Sequence, residues 1–184
     1  MPRTRYYRSK RVYPRQKWSI NTNTYVGSVG ATNAQCFSIA EIPIIENPSR
    51  NNQAGNPATT SAQILKAGRV KVKGVILSGM AQGQTCLLAI IYLPEGVSAV
   101  AQNAAMNTQG NSIFYTHPEW VMAWTRVDYT NAAQRNEISL TSRLKRNLNP
   151  GDKLALVMYN VNNSGGGAAA IDFASTASYC VKAN

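Results

Sequence analysis

RVKVKGVILSGMAQGQTCLLAIIYLP, residues 69–94, contains the two patterns that decide the fold. Its first part alternates, with Arg69, Lys71 and Lys73 on one face and valines on the other, which predicts a strand with one solvated face. From residue 84 it becomes a continuous apolar run, which predicts a central strand buried on both faces. Gly and Gln between the two patterns indicate a turn. The stretch therefore predicts β-structure.

The same patterns recur along the chain. Strands are predicted over residues 35–45, 120–129, 136–144, 153–161 and 170–182, with weaker signals at 25–29 and 112–115. Only residues 99–107 have the pattern of a short helix, and residues 47–61 and 101–111 are predicted to be polar surface loops. With strands and almost no helices between them, the chain is expected to be all-β. We predict one eight-stranded antiparallel jelly roll, a β-sandwich, over residues 18–184.

Basic residues are concentrated at the N-terminus. The 184 residues have a net charge of +11, and residues 1–17 contribute +7 of it with no acidic residue. The other twelve basic and eight acidic residues leave the rest of the chain at +4. Residues 1–17 are therefore predicted to be a flexible basic arm that binds a polyanion, most often nucleic acid.

The arm mixes its charges with aromatic rings. Tyr6, Tyr7, Tyr13 and Trp18 are predicted to stack on unpaired bases. The predicted phosphate contacts are the seven cations Arg3, Arg5, Arg8, Lys10, Arg11, Arg15 and Lys17. RSKR within the arm also fits a nuclear import signal, and one segment can serve both purposes.

The alternating strand supplies a second basic feature, and the sequence leaves two interpretations of it open. Arg69, Lys71 and Lys73 are either a positive ridge that binds nucleic acid or the lysines that protect an exposed edge strand from aggregation.

No residue pattern indicates catalysis or a metal site. Cys36, Cys86 and Cys180 are scattered, which argues against a disulfide framework and a zinc site and favours small buried side chains. His117, the only histidine, is predicted to be a turn residue. Neither glycine-rich stretch has the pattern of a phosphate loop, and no apolar run approaches the roughly 20 residues of a membrane helix. We therefore predict no enzyme activity, no cofactor, no metal and no membrane anchor.

Three features together resemble the capsid proteins of circoviruses and related small viruses with circular single-stranded DNA. They are the short Arg/Tyr-rich N-terminus, the K-x-x-R-V-K-V-K strand from Lys66 to Lys73, and THPEWVMAWTRVDY at residues 116–129. The resemblance implies a jelly roll that assembles into a small icosahedral T=1 shell, with the arm inside against the genome and the loops outside. It also implies nuclear import through the arm, and an inner-surface position for Arg69, Lys71 and Lys73.

Three aromatic residues are candidates for contacts between copies. Trp120, Trp124 and Tyr129 are predicted to lie at interfaces, although packing in the core is an equal alternative for Trp124.

The leading hypothesis is a homo-oligomeric capsid protein that packages single-stranded DNA and is found in the virion and, during assembly, in the host nucleus. The alternative is a monomeric nucleic-acid-binding β-barrel of the OB type. A jelly-roll enzyme or lectin is a third hypothesis, without positive evidence.

Overall fold

The computed structural model describes residues 18–29, 37–47, 64–78, 84–99, 116–128, 135–162 and 171–183. A single-turn 3-10 helix, Pro118–Trp120, precedes the fifth strand. The strands in chain order are β1 (Ser19–Val29), β2 (Phe37–Glu46), β3 (Leu65–Ser78), β4 (Gln84–Leu93), β5 (Val121–Asp128), β6 (Asn136–Ser142), β7 (Arg146–Leu148), β8 (Lys153–Asn162) and β9 (Ile171–Ala183).

These strands form two antiparallel sheets. The five-stranded sheet has the order β1-β9-β3-β6, with the short β7 also paired to β3, and the four-stranded sheet has the order β2-β8-β4-β5. The chain crosses repeatedly from one sheet to the other, so that sheet neighbours are mostly distant in sequence. This double-sheet arrangement of eight main strands is a jelly roll, as predicted, and β7 is a three-residue addition to it.

The main core lies between the two sheets. The predicted alternation of β3 is confirmed, because Val70 and Val72 are fully buried there. β9 contributes Phe173, whose ring lies 6.3 Å from that of Tyr25 on β1. Each such buried side chain contributes about 1.5–3 kcal/mol relative to an exposed one. The opposite sheet supplies Leu88, Ile90, Leu154, Leu156 and Met158.

A second apolar cluster lies on the outer face of the four-stranded sheet. Ala89, Ile91 and Leu93 of β4 are fully buried there, under Val97 and Ala99 from the segment that follows the strand. β4 is therefore a central strand buried on both faces, as its continuous apolar run predicts.

The N-terminal strand is longer than its sequence signal. The weak signal at 25–29 is the end of β1, which begins at Ser19 and pairs with β9 over its whole length. The two asparagines in SINTNT weaken the strand signal of the first half, because Asn is uncommon in strands. Pairing with β9 overrides that preference. β7 was not predicted, since three residues are too few for a pattern. Residues 112–115, 101–111 and nearly all of 99–107 and 47–61 lie outside the described residues.

Candidate nucleic-acid interface

Strand β3 presents three cations on the outer face of the five-stranded sheet. Arg69 and Lys73 are exposed and Lys71 is half-buried, while the valines between them face the core. β3 lies between β9 on one side and β6 and β7 on the other, so it is not an edge strand. The edge-protection interpretation of these residues is therefore wrong.

Hydroxyl side chains flank the two lysines. Pairing places a Ser or Thr of β6 and of β9 beside each lysine: Thr141 and Ser178 beside Lys71, and Ser139 and Thr176 beside Lys73. Residues two apart on a strand are about 6.8 Å apart, so the two ammonium groups form a row along β3. Lysine and Ser/Thr hydroxyls are common donors to phosphate oxygens. The face can therefore offer several donors to a phosphodiester chain.

The row ends in a shallow groove of about 740 Å³. Lys73, Ser139 and Thr176 line it together with Thr24 of β1 and Glu137 of β6. Glu137 pairs with Val75, beyond the lysines along β3, and adds a negative charge at this end. The positive charge of the face is therefore concentrated toward the start of β3.

Trp18 lies at that positive end. Its indole packs on the backbone of Gly68, where a β-carbon would come within 2.9 Å of indole Cζ3. Nζ of Lys182 lies 5.4 Å from the ring centroid, and Lys182 pairs with Lys66 of β3. Since Trp18 directly follows the arm in sequence, the arm joins the fold beside these two lysines.

The two sheets differ in charge. The strands of the five-stranded sheet contain six basic and two acidic residues, a net of +4: Lys66, Arg69, Lys71, Lys73, Arg146 and Lys182 against Glu137 and Asp172. The strands of the four-stranded sheet contain two basic and three acidic residues, a net of −1: Arg126 and Lys153 against Glu41, Glu46 and Asp128. The five-stranded sheet is thus the basic one of the two. Arg146 pairs with the buried Ala67 and lies over the ring of Tyr92, so the other five basic residues carry the charge of its outer face.

The predicted aromatic residues occupy different positions. Trp120 is half-buried against the second apolar cluster, so the core-packing alternative proposed for Trp124 describes Trp120 instead. Trp124 is 60% exposed on β5, an edge strand of the four-stranded sheet. Their predicted interface roles remain predictions.

Several predicted residues lie outside the described part of the chain. These are the arm residues Arg3, Arg5, Tyr6, Tyr7, Arg8, Lys10, Arg11, Tyr13, Arg15 and Lys17, and also Tyr129.

His117 is part of the turn before β5. Its ring stacks on Trp120 with centroids 3.8 Å apart, and its Nδ1 lies 3.2 Å from Oε1 of Glu119. The prediction of a turn residue is confirmed.

The described thiols differ in accessibility. Burial raises the pKa of Cys86 to about 12, so this thiol stays protonated at neutral pH. Cys180 is only half-buried and lies on β9 opposite Ile20, so the prediction of a buried side chain does not hold for it. Within the described ranges, no three His, Cys, Asp or Glu residues are grouped so that they could hold a metal ion. No helix in those ranges is long and apolar enough to cross a membrane.

Sequence reasoning missed part of this face. Lys66 and Lys182 are separated by more than a hundred residues in sequence, and so are the hydroxyls of β9 and the lysines that they flank. The hydroxyls of β6 are more than sixty residues away from the same lysines. Only the strand order brings them together. A usable signal was the period-two spacing of Thr176, Ser178, Cys180 and Lys182, which places all four on one face of β9.

No protein-family model and no curated protein matches the chain. Among solved structures, it is similar to the BFDV capsid protein in its decameric form, with 11% identity and a TM-score of 0.40 over 92% of this chain and 99% of that chain. The 60-mer of the same protein gives 11% identity and a TM-score of 0.40 over 94% and 96%. A structure of desmodium yellow mottle tymovirus gives 9% identity and a TM-score of 0.31 over 91% and 90%.

Proposed function

We propose that this chain is a viral capsid subunit that assembles into a small icosahedral T=1 shell and packages circular single-stranded DNA. The observation that carries the proposal is the charge difference between the two sheets, +4 against −1, on a jelly-roll sandwich. In a shell that encloses nucleic acid, the face of each subunit toward the nucleic acid should be basic, whereas the opposite face, toward the solvent, need not be.

In this proposal the outer face of the five-stranded sheet faces the interior. Arg69, Lys71 and Lys73 contact phosphates there, and the hydroxyls beside the lysines add hydrogen bonds. Trp18 stands at the attachment point of the arm, which extends the same basic surface. Such contacts are independent of sequence, which suits a protein that must cover a whole genome.

Assembly is tested on the purified full-length protein by light scattering and electron microscopy at low and high salt. We expect particles of about 1.2 MDa, the mass of sixty copies of the 20.0 kDa chain. A protein that stays monomeric at every salt concentration, with and without single-stranded DNA, contradicts the proposal.

The competing function is a monomeric nucleic-acid-binding module. Its OB-type form is wrong, because the described strands form a two-sheet sandwich and not a five-stranded barrel. For the module itself, deletion of residues 1–17 should leave most of the affinity for single-stranded DNA. The capsid proposal gives the reverse expectation: affinity collapses while shells still form.

The proposal also includes nuclear import through the arm. Residues 1–17 fused to a fluorescent reporter are expected to accumulate in the nucleus of animal cells. The matched control replaces the RSKR cations Arg8, Lys10 and Arg11 by serine, and equal distribution of both fusions would count against import.

A further inference from the structure

Strand β1 is an unusual edge strand. Among the described strands it lies at one end of the five-stranded sheet, with β9 as its neighbour. It has eleven residues, SINTNTYVGSV, without a charge or a proline. Its register with β9 runs from Ser19 to Val29 without a bulge, so the edge is long and regular.

The other three edges of the sandwich are protected. β2 contains a register shift at Pro43 and two glutamates, and β5 contains a register shift and the ion pair of Arg126 and Asp128, 2.7 Å apart. β6 is only seven residues long and contains Glu137. Prolines, bulges, charges and short length are the ordinary means of preventing edge-to-edge pairing. β1 has none of them, which indicates an edge that pairs.

The side chains on the outer face of β1 indicate which kind of strand would be complementary to it. Ile20 and Val26 are 77% and 73% exposed, and Thr22 and Thr24 lie between them on the same face. The order apolar, hydroxyl, hydroxyl, apolar reads the same in both directions about Asn23. A strand with such a pattern is complementary to an antiparallel copy of itself, which is the requirement for a two-fold symmetric contact.

We propose that β1 pairs antiparallel with β1 of a second copy of this chain, about a two-fold axis at Asn23. Ile20 then lies opposite Val26 of the second copy, and Thr22 lies opposite its Thr24. Thr–Thr and apolar cross-strand pairs are both favourable, and the strand has no charge to repel its copy. The two five-stranded sheets become one continuous sheet, and their basic outer faces continue across the contact.

Other registers fit less well. A shift by one residue turns the second sheet over, so that its core-facing residues meet the outer face of the first. A shift by two places Ile20 opposite Thr24 or Ser28 and leaves an apolar side chain beside a hydroxyl. Only the register centred on Asn23 places Ile20 opposite Val26 and Thr22 opposite Thr24, so that apolar and hydroxyl side chains each meet their own kind.

The register is tested by cysteine cross-linking in the full-length protein. Thr22→Cys and Thr24→Cys are produced separately and by co-expression of the two chains, and each preparation is oxidised and run on non-reducing gels. Residues directly opposite each other have Cα atoms about 4.5–5.5 Å apart, within the range that a disulfide spans. The wild-type chain under the same oxidant controls for its own three cysteines.

We expect cross-linked dimers from the co-expressed pair, up to about half of the material for random mixing, and none from either variant alone. Cross-linking of Thr22→Cys alone or of Thr24→Cys alone would identify one of the shifted registers and overturn the proposal. Absence of the dimer in all preparations would overturn it as well. A dimer that appears only after residues 1–17 are deleted would show that the arm occupies this edge in the full-length protein. That result would also overturn the proposal.

A charge placed on the edge gives a second measurement. Thr24→Lys is expected to weaken self-association at least tenfold in sedimentation velocity, whereas Thr176→Lys, the same change on the neighbouring interior strand β9, should not. Equal behaviour of the two variants would contradict the pairing. The outcome is separate from the capsid proposal, because electron microscopy scores shells independently: shells without the cross-link refute only the β1 contact, and cross-linked dimers without shells refute only the capsid.

Discussion

The indole of Trp18 lies on the bare backbone of Gly68, with no room for a β-carbon between them. Gly68 lies within the register shift of β3 between Ala67 and Val70, next to Arg69. Because Gly68 has no side chain, the indole of Trp18, the residue directly after the arm, can pack on the strand there. This contact joins the end of the basic arm, which is proposed to bind nucleic acid, to the sheet that carries the basic residues of β3.

Replacement of Gly68 by alanine is expected to displace the indole and to lower the free energy of unfolding by about 1–3 kcal/mol, as other overpacked sites do. Trp18→Ala removes the obstacle, so the double variant should be no less stable than Trp18→Ala alone. Urea denaturation of the four proteins measures this coupling. Additive losses would show that the two residues act independently.

The sequence predicts the strands of the fold better than it predicts the basic outer face of the five-stranded sheet. Alternation in β3 and the continuous apolar run of β4 are local patterns, and both strands lie where these patterns indicate. The pairing of Lys66 with Lys182 depends on the order of strands, which is set by packing between distant segments. For the same reason the sequence left the role of Lys71 and Lys73 open, since an edge strand and a central strand with one solvated face have the same period.

Lys73 and Arg126 allow the charged face to be tested with single substitutions. Lys73→Ser should reduce the slope of log affinity for single-stranded DNA against log salt by about 0.7, the loss of one phosphate contact. Arg126→Ser removes one charge from the other sheet, where the guanidinium pairs with Asp128, and should leave the slope unchanged. Fluorescence anisotropy at several salt concentrations provides both slopes. Equal slopes for the two variants would argue against a binding face on the five-stranded sheet.

Glu41 attaches the segment after β4 to the four-stranded sheet. Its Oε2 accepts a hydrogen bond of 2.7 Å from Ala99 N and one of 3.1 Å from Ser98 Oγ, and its Oε1 pairs with Lys153 Nζ. The carboxylate is nearly buried, so removing it leaves an amide, a hydroxyl and an ammonium group without their acceptor.

We expect Glu41→Ala to lower the free energy of unfolding by about 3 kcal/mol, the usual cost of removing one partner of a buried ion pair. Glu46→Ala is the matched control, because Glu46 is an exposed glutamate on the same strand and should change stability by less than about 0.5 kcal/mol. Chemical denaturation measures both. A similar small effect for the two variants would show that the attachment contributes little to stability.

Asp152 and Tyr92 form a polar contact at the edge of the main core. Tyr92 Oη donates a hydrogen bond of 2.8 Å to Asp152 Oδ2, which also accepts one of 2.8 Å from Asn149 N. Oδ1 accepts the backbone amide of Glu95 at 3.1 Å. Asp152 is buried, and these donors take the place of water around its carboxylate.

Tyr92 makes the free energy of unfolding depend on pH in the alkaline range. Burial, the hydrogen bond to Asp152 and the negative charge of that carboxylate raise the pKa of Tyr92 to about 12, against a partly opposing effect of Arg146, whose guanidinium lies 4.1 Å from the ring centroid. In the unfolded chain the phenol loses its proton near its ordinary pKa of about 10. Its contribution to stability is therefore complete below about pH 10 and is lost as the pH rises toward 12.

Tyr92→Phe removes both the hydrogen bond and the titration. The variant is expected to be less stable than the wild type at pH 7 to 9 by about 1–3 kcal/mol, because Asp152 loses a donor. The difference should shrink between pH 10 and 12, since only the wild type loses stability through this phenol. Denaturation curves across that range, with the absorbance of tyrosinate near 295 nm as a direct titration, test the expectation. A constant difference between the two proteins over the whole range would mean that Tyr92 titrates alike in the folded and unfolded chains.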